Sequence, residues 1–501
     1  MMKINKLIVF ILWIFISSLL FCQQTEVIFL QLNDVYEIAP LEGGKVGGLA
    51  RVATIRKDLM KQYTVVYTIL SGDFISPSAL GTSEYEGKRI NGRQMVDVLN
   101  HIGLDYVTFG NHEFDYKYEV LQDRMDESKF EWISSNVSHD QNGLTQSFGR
   151  IDHGLPRYVI LRIPANEKFI KLCLLGLCID ANKQPYVAYD NYIESAKKYY
   201  NELKDSIDYF IGITHLSIDQ DKKLAGEVPA LRLIMGGHEH ENMFYTIGET
   251  IIAKADANAK TVYFHKLIFN EKNKLVDIKS ELKKVDETVV EDPVVKSAVD
   301  EWVSRAFKGF TDKGFDPNIK VIDFTEPLDG REQVVRNELC ALGYLIATSM
   351  LQASPGSDCA VFNSGAIRID DVLYGEITQY DIIRILPFGG KILQVEMKGE
   401  LLKKIMDTGW NNKGNGGFLQ FAGIEYTAGG WKTKGELISD NKVYNIAIND
   451  FLLSGMEQNM GFLTKDNPGI IKITEPDPNN KSDIKNDFRF AVIDYLKKWN
   501  K

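Results

Sequence analysis

The chain has 501 residues, too many for one ordinary core, so two domains are the default expectation and three an alternative. Apolar residues make up 44% and charged residues 25%, which excludes large-scale disorder. The formal net charge of -10 argues against a sequence-independent grip on nucleic acid, which needs a basic face, but leaves a small anionic substrate open because bound metal ions can dominate a local field.

The N-terminus carries Lys3 and Lys6, then an apolar run from Leu7 to Phe21, then Cys22. A short basic region followed by a run of this length predicts a secretory signal over residues 1–22, with export to the periplasm or cell surface. An uncleaved anchor is the alternative. Leu19-Leu-Phe-Cys22 also hints at a lipoprotein site, but a small residue is expected where Phe21 stands. Membrane attachment would depend on lipidation at Cys22.

From Val27 to about Asn270 apolar strand-like runs alternate with helical patterns. The runs are Val27–Leu32, Val65–Leu70, Tyr106–Phe109, Phe169–Leu177, Tyr209–Ile213 and Leu231–Met235. Helical patterns cover Arg93–His101 and Tyr192–Leu203. This alternation predicts an α/β core, or an α/β sandwich, over residues 23–284. Cys173 and Cys178 share one apolar run, and their odd spacing puts two buried thiols on opposite faces of a strand. Val285 to Phe310 has helical periodicity and reads as a connecting helix within a linker at 285–320. A smaller, mixed α+β unit follows over 321–501. It has a helix near Glu338–Leu351 and strands near Cys359–Phe362, Ile392–Met397 and Val443–Ile448. A Cys340–Cys359 bridge would suit an exported protein, but spacing does not establish it. Asn411 to Gly417 reads as a loop without the strand–glycine–helix order of a phosphate cradle.

The polar residues that follow the strand-like runs carry the chemistry. Gly110-Asn-His-Glu-Phe-Asp115 follows one run; Asp34, Asp73, His215 and the pair His238/His240 each follow another. Asn, His and Asp at five strand ends are what a two-metal hydrolytic site needs. Asp34 and Asp73 are natural hard ligands, and one carboxylate can bridge two cations. Asn111 offers a neutral carbonyl oxygen. Gly236-Gly-His-Glu-His240 places two imidazoles on the same side of an extended segment. The mixed nitrogen and oxygen set suits Zn, Mn, Co or Fe better than a calcium cage. His101, His139, His153 and His265 have no such context and receive no role.

In order and residue type these segments resemble the calcineurin-like metallophosphoesterases. More closely, the chain resembles the two-domain 5'-nucleotidase/UDP-sugar hydrolase family. The matching segments are Leu32-Asn-Asp-Val-Tyr36, Gly47-Gly-Leu-Ala-Arg51, Ser71-Gly-Asp73, Gly110–Asp115, Ile213-Thr-His215, Gly236–His240 and Lys254-Ala-Asp-Ala-Asn258. The resemblance implies a four-layer α/β/β/α metallophosphoesterase sandwich followed by a smaller α+β substrate domain. It implies that Asp34, Asp73 and His240 serve one metal, and that Asp73, Asn111, His215 and His238 serve the other. His112, oriented by Asp115, would be the catalytic pair.

One position departs from the family. Its first motif is Asp-x-His, and here it is Asp34-Val-Tyr36. Tyr36 ligates as a phenolate and favours a more acidic ion such as ferric iron, or leaves that metal to water, or only packs and hydrogen-bonds nearby. The phenol pKa of about 10 favours the second of these.

In the second unit Asn363-Ser-Gly-Ala-Ile-Arg368, Leu386-Pro-Phe-Gly-Gly390 and Asn449-Asp-Phe451 resemble the family's Asn-x-Gly-x-Ile-Arg, Leu-Pro-Phe-Gly and Asn-x-Phe motifs. By resemblance Phe388 and Phe451 would sandwich a base, and Asn363 and Arg368 would meet the phosphate or ribose side. Stacking on aromatics is worth roughly 1–3 kcal/mol per base, and Arg is shaped for phosphate. Glu457 aligns with a family Asp near the ribose but is longer, and Met456 replaces a glycine. Arg331 and Arg336 are further candidates.

The implied activity is hydrolysis of nucleoside 5'-monophosphates with two divalent ions. In the family the second domain grips the nucleoside and rotates about the linker to deliver its phosphate. The alternatives are a 2',3'-cyclic-nucleotide phosphodiesterase, a UDP-sugar hydrolase, or a nucleotide-binding surface protein with vestigial activity.

Overall fold

The structure is a computed structural model that describes residues 24–165 and 168–499. The expected signal segment and Cys22 lie outside the described residues. The chain forms two compact units. One holds residues up to Ser76 together with Asn91–Val303, the other holds Pro77–Ile90 and everything from Ser304 onward.

The first unit is built on two six-stranded sheets. One has the strand order Leu275–Lys284, Thr261–Phe269, Thr25–Leu32, Val66–Leu70, Tyr106–Thr108 and Glu131–Ile133. Its last four strands are parallel, and the hairpin at the other edge is antiparallel. The other sheet runs Met243–Ile247, Thr250–Lys254, Leu231–Gly236, Tyr209–His215, Lys168–Cys178 and Tyr158–Ala165. Its four central strands are parallel and its two edges antiparallel. Strands buried on both faces need apolar residues at odd and even positions, which is why these runs read as continuous rather than alternating.

Side-chain parity sets the layers. Val27, Phe29 and Ile69 of one sheet pack on Leu172, Leu174, Ile211, Ile213, Leu233 and Met235 of the other. The opposite parity of the second sheet, Cys173, Leu175, Leu177 and Ile234, packs on Ile193, Ala196, Tyr199 and Leu224 from two helices, Tyr192–Leu203 and Ile218–Glu227. The helix Leu49–Gln62 lies against strand Val66–Leu70 and buries Val52, Ala53 and Ile55. The layers are therefore helix, sheet, sheet and helix. Cys173 and Cys178 are buried, and among the described residues none of the four cysteines is bridged.

A polar seam joins the two apolar sheets. Gln31 donates from Nε2 to the carbonyls of Gly236 and Ala253 across the interface, at 3.0 and 2.9 Å. Its Oε1 lies 2.8 Å from His265 Nε2, and His265 Nδ1 lies 2.7 Å from Ser280 Oγ. His265 is fully buried. Asn33 makes a reciprocal pair with the backbone of Ala255. Both residues sit at the end of the strand that leads into Asp34.

The connecting helix begins later than its periodicity suggests. Residues 285–292 are not helical, and the helix spans Pro293–Asp312. Asp292 Oδ1 accepts from the backbone N–H of Val294 and Val295, and Pro293 starts the helix without an N–H to lose.

The second unit has a five-stranded mixed sheet in the order Leu419–Ala422, Cys359–Asn363, Val443–Asn449, Ile392–Lys398 and Ile470–Thr474. One face packs on the helix Gly399–Asn411 through Leu401, Leu402, Ile405 and Met406. The helix predicted near Glu338–Leu351 spans Ala341–Ala353. Among the described residues no helix is long and apolar enough to cross a membrane.

Burial pulls the His265 imidazolium pKa down to about 3. The unfolded chain binds this proton below about pH 6.5 and the folded chain does not. Stability from this residue is therefore complete above pH 6.5 and lost as pH falls toward 3. Between pH 6.5 and 4.5 it contributes a loss of about 2 kcal/mol. Denaturant melts at the two pH values should show a smaller loss in His265→Gln than in the wild type.

Candidate metal centre

Every metal-ligand candidate stands at the C-terminal end of a parallel strand. Asp34 follows Thr25–Leu32, Asp73 follows Val66–Leu70 and Asn111 follows Tyr106–Thr108. His215 ends Tyr209–His215, and His238 and His240 follow Leu231–Gly236. Because the two sheets are stacked, these ends meet at one edge of the sandwich. Ligand atoms of Asp34, Asp73 and His215 lie within 4.8 Å of one another, all three residues being buried.

The backbone is bent to bring them there. Asp34, Asp73 and His238 have φ of 52°, 54° and 84°. Left-handed conformations in non-glycine residues cost on the order of 1–3 kcal/mol each and concentrate at functional sites. Glycines allow the close approach. A Cβ on Gly110 would stand 2.1 Å from Asp73 Oδ1, and one on Gly237 would stand 2.4 Å from the Ser71 carbonyl oxygen.

Asp73 is the shared centre. Its Oδ1 accepts from the backbone N–H of His112 at 2.7 Å. Its Oδ2 lies 3.2 Å from His215 Nε2 and 3.2 Å from the Tyr36 hydroxyl. On one side of Oδ2, His215 Nε2 is also 3.2 Å from Asn111 Oδ1, and the His215 and His238 rings lie 5.3 Å apart. On the other side, the Tyr36 hydroxyl is 3.4 Å from Asp34 Oδ1 and 3.1 Å from His240 Nε2. Asp34 Oδ2 accepts from the backbone N–H of His238 at 2.9 Å.

The electrostatics follow from burial of unlike charges. Burial alone would raise the Asp34 and Asp73 carboxyls, but His215 and its neighbours hold both below the usual range. Burial would lower His215; Asp73 and Asp34 instead push it up to about 10. Burial and the neighbouring His215 lower His238 to about 4. His215 Nδ1 faces the Ser71 carbonyl at 2.8 Å, which fixes that nitrogen as the donor and turns Nε2 toward Asp73 and Asn111. Two buried carboxylates, an amide oxygen and three imidazoles, that of His215 with its donor nitrogen fixed, are a donor set that fits divalent metal ions.

His112 and Asp115 form a second, adjoining feature. His112 Nδ1 lies 2.9 Å from Asp115 Oδ2. Asp115 is held in turn by Ser76 Oγ at 2.8 Å and Asn182 Nδ2 at 2.8 Å. Asn182 also donates to the Asn111 carbonyl at 3.0 Å, tying the pair to a ligand loop.

Several supporting residues lie in the matched segments but received no role from the sequence. Glu113, inside the hexapeptide, is fully buried. It accepts from the backbone N–H of Asp73, Phe74, Ile75 and Gly110 at 2.6–3.3 Å. Burial and then Asp73 raise its pKa to about 7. Lys254 is buried and donates to the Leu216 and Gly237 carbonyls, Asp221 and Glu239 beneath the histidine loop. Asn258 Oδ1 accepts from the N–H of Tyr36 and Glu37. Glu113 sits among polar residues of the hexapeptide, so its burial has no local signal. Asn182 lies in a loop with no local signal.

In the second unit Asn363 and Glu457 come together, with Asn363 Nδ2 donating to Glu457 Oε2 at 2.8 Å. Asn449 Nδ2 donates to Asn363 Oδ1 at 3.0 Å. Arg336 and Arg368 both pair with Glu332, Arg368 at 3.8 Å. Arg331 pairs with Asp329 instead. Phe388 and Phe451 are 55% and 40% exposed, unlike the core phenylalanines, so neither ring is a simple packing residue.

Comparison with known proteins adds the family. Residues 28–242 match the calcineurin-like phosphoesterase domain, and residues 320–464 match the 5'-nucleotidase C-terminal domain. The chain is 26% identical to the 5'-nucleotidase of Vibrio cholerae over 470 residues, covering 81% of this chain and 77% of that one. It is 27% identical over 382 residues to the trifunctional nucleotide phosphoesterase of Bacillus subtilis, covering 67% of this chain but only a quarter (25%) of that longer protein. A solved structure of the 5'-nucleotidase precursor from Thermus thermophilus superposes with a TM-score of 0.71 at 21% identity, covering 95% of this chain and 96% of that one. The two domains, matched in order on this fold, make the chain a member of the 5'-nucleotidase family and a metal-dependent phosphoric ester hydrolase.

Proposed function

We propose that this protein is an exported dinuclear-metal phosphohydrolase that converts nucleoside 5'-monophosphates to nucleoside and phosphate. The observation that carries this reading is the position of Asp73 Oδ2, 3.2 Å from donors on each of two sides, beside the His112–Asp115 pair. Asp34, Tyr36 and His240 stand on one side of that oxygen, and Asn111, His215 and His238 on the other. When bound, a metal pair supplies Lewis acidity for the phosphate and for the attacking water. The mixed donors suit Zn, Mn, Co or Fe.

The chain's own residues do the rest. Asp115 accepts from His112 Nδ1, so the ring is fixed in orientation and Nε2 is left for the substrate. In the imidazolium form, which Asp115 favours, Nε2 also carries a proton; as the phosphorus–oxygen bond to ribose breaks it gives that proton to the departing oxygen and the ring is left neutral, or it hydrogen-bonds to the phosphate in the transition state. Ser76 and Asn182 keep the Asp115 carboxylate from turning away. In the second unit Arg368, Asn363 and Arg336 offer donors to phosphate or ribose, and Phe388 and Phe451 offer faces to a base. Glu457 accepts from Asn363 and so shapes the ribose side. The similarity to named 5'-nucleotidases supports a nucleoside monophosphate over other phosphoesters.

His112→Asn should lower kcat by about 10²–10⁴-fold while metal content, read by elemental analysis, stays at the wild-type level. Unchanged turnover would remove His112 from the reaction. Glu113→Gln, which leaves backbone N–H groups without their carboxylate, should lower the unfolding free energy of the metal-free protein by about 1–3 kcal/mol, read by denaturant melts. The substrate is tested with AMP, UDP-glucose, 2',3'-cyclic AMP and bis-p-nitrophenyl phosphate, each with Mn²⁺, Zn²⁺ and Co²⁺. AMP should be hydrolysed fastest. Inactivity on all four with the metals bound would favour a nucleotide-binding protein instead.

A further inference from the structure

Phe388 is 55% exposed, so its ring takes little orientation from a core. A ring in that position must be aimed by its backbone. The backbone on both sides of it is held by one short segment near the C-terminus. The Phe488 N–H donates to the Gly390 carbonyl at 2.9 Å, and Arg489 Nη1 lies 3.4 Å from the Pro387 carbonyl oxygen. Between these two contacts the loop lies flush on the segment. Gly389 has φ of 61°, and a Cβ there would stand 2.6 Å from Arg489 Nη2 and 2.9 Å from Asp487 Oδ2. A Cβ on Gly390 would stand 2.7 Å from Asp450 Oδ1, and the Asp450 N–H donates to the Lys391 carbonyl at 3.0 Å. The same loop therefore abuts the residue that precedes Phe451.

Arg489 is 6% exposed and forked on Asp487, with Nε 2.9 Å from Oδ1 and Nη2 2.5 Å from Oδ2. Its guanidinium lies over the Phe315 ring at 4.8 Å, and Phe315 stacks on Phe490 at 4.2 Å and 12°. Capping of the helix Phe488–Trp499 accounts for Asp487, whose Oδ1 accepts from the Arg489 N–H at 3.1 Å. It does not account for the arginine side chain. A buried guanidinium–carboxylate pair loses much of its attraction to desolvation, so the geometry it fixes is a better account of it than stability. Asp487 takes Nε and Nη2 and Phe315 takes one face, which turns Nη1 toward Pro387. The match to the 5'-nucleotidase C-terminal domain ends at residue 464, so this anchor comes from beyond the matched residues.

We infer that Arg489, held by Asp487, is a positioning residue that sets the Phe388 loop and, through it, the ring that meets the base. It acts through the loop rather than on the nucleotide. The inference rests on the nucleotide-binding role proposed above for Phe388. Its effect falls on the base alone. The donors proposed for the ribose side are tied to one another, Asn363 to Glu457 and Asn449 to Asn363, and not to this anchor. A ring aimed in advance has less ordering to lose when a base stacks on it, so the anchor contributes to binding and appears in KM rather than kcat.

The test uses the full chain with Mn²⁺ and compares AMP with ribose 5-phosphate, which lacks the base. Arg489→Met keeps an apolar contact with Phe315 and removes the donors. It should raise the KM for AMP about 5–10-fold, the lower part of what a lost base stack removes, with kcat and both constants for ribose 5-phosphate unchanged. Gly389→Ala disturbs the same contact from the loop side and leaves the ion pair in place. It should give the same pattern, and it carries the test if Arg489→Met does not fold. In a Phe388→Ala background Arg489→Met should add no further rise, because the ring it aims is gone. The inference is overturned if Arg489→Met or Gly389→Ala, folded, leaves the AMP KM at the wild-type value, if AMP and ribose 5-phosphate suffer alike, or if the effects of Arg489→Met and Phe388→Ala add in full. Phe388→Ala alone separates the two readings. A raised AMP KM there beside an unchanged one in Arg489→Met removes the anchor and keeps the base site; an unchanged KM in Phe388→Ala removes both.

Discussion

Asp73 is a carboxylate with 1% solvent exposure, and the architecture of the first unit is organised around keeping it charged. Removing an ion from water is costly unless partners replace the lost hydration. Here the partners come from every side: the backbone N–H of His112, His215 Nε2 and the Tyr36 hydroxyl. Glu113 fixes the Asp73 backbone and its next two residues, and Gly110 leaves the room that the carboxylate occupies. The same concentration of buried negative charge that burdens folding makes the cluster a strong cation site. A metal ion would relieve the repulsion between Asp34 and Asp73 that the imidazoles otherwise moderate.

The two sheets must therefore be held in fixed register, because ligands from both converge within a few ångströms. Apolar packing between Phe29, Ile69, Leu174 and Ile213 is strong but non-directional. Direction comes from the polar seam. Gln31 reaches the carbonyls of Gly236 and Ala253, and Asn33 pairs with Ala255, each joining the first sheet to the strand ends that carry the histidine loop. Lys254 then grips that loop from beneath through Gly237 and Glu239. A buried lysine with two carboxylates is a costly device, and its place under His238 and His240 accounts for its use. The strained backbone of Asp34, Asp73 and His238 persists because these contacts over-determine it.

Two asymmetries mark this chain within its family. Beside Asp73 Oδ2 a tyrosine hydroxyl, that of Tyr36, stands 3.2 Å away where the family's first motif has a histidine. In the second unit the longer Glu457 reaches Asn363 directly, so an acidic group and an amide that could each meet a ribose hold one another in place.

The amino-acid sequence by itself determined the strands, the layer class and the polar residues at the strand ends. Continuous apolar runs alternating with helical patterns fit buried parallel strands, whose C-terminal ends share one edge. Asp34, Asp73, Asn111, His215 and the His238/His240 pair were legible for that reason. The start of the connecting helix was less so, since periodicity continues through residues 285–292 while Asp292 and Pro293 set the helix start. Tertiary structure alone decided the partners. His265 and Gln31 lie 234 positions apart, and Asn182 lies 67 from Asp115, so no local pattern links them. Glu113 and Lys254 gain their roles from backbone groups, which carry no sequence signal. Tyr36 is the clearest case. Its identity poses a question, and only the fold shows that its hydroxyl meets Asp34, Asp73 and His240. Coordination depends on positions in space to within a few tenths of an ångström, and that precision arises only when the sheets have packed.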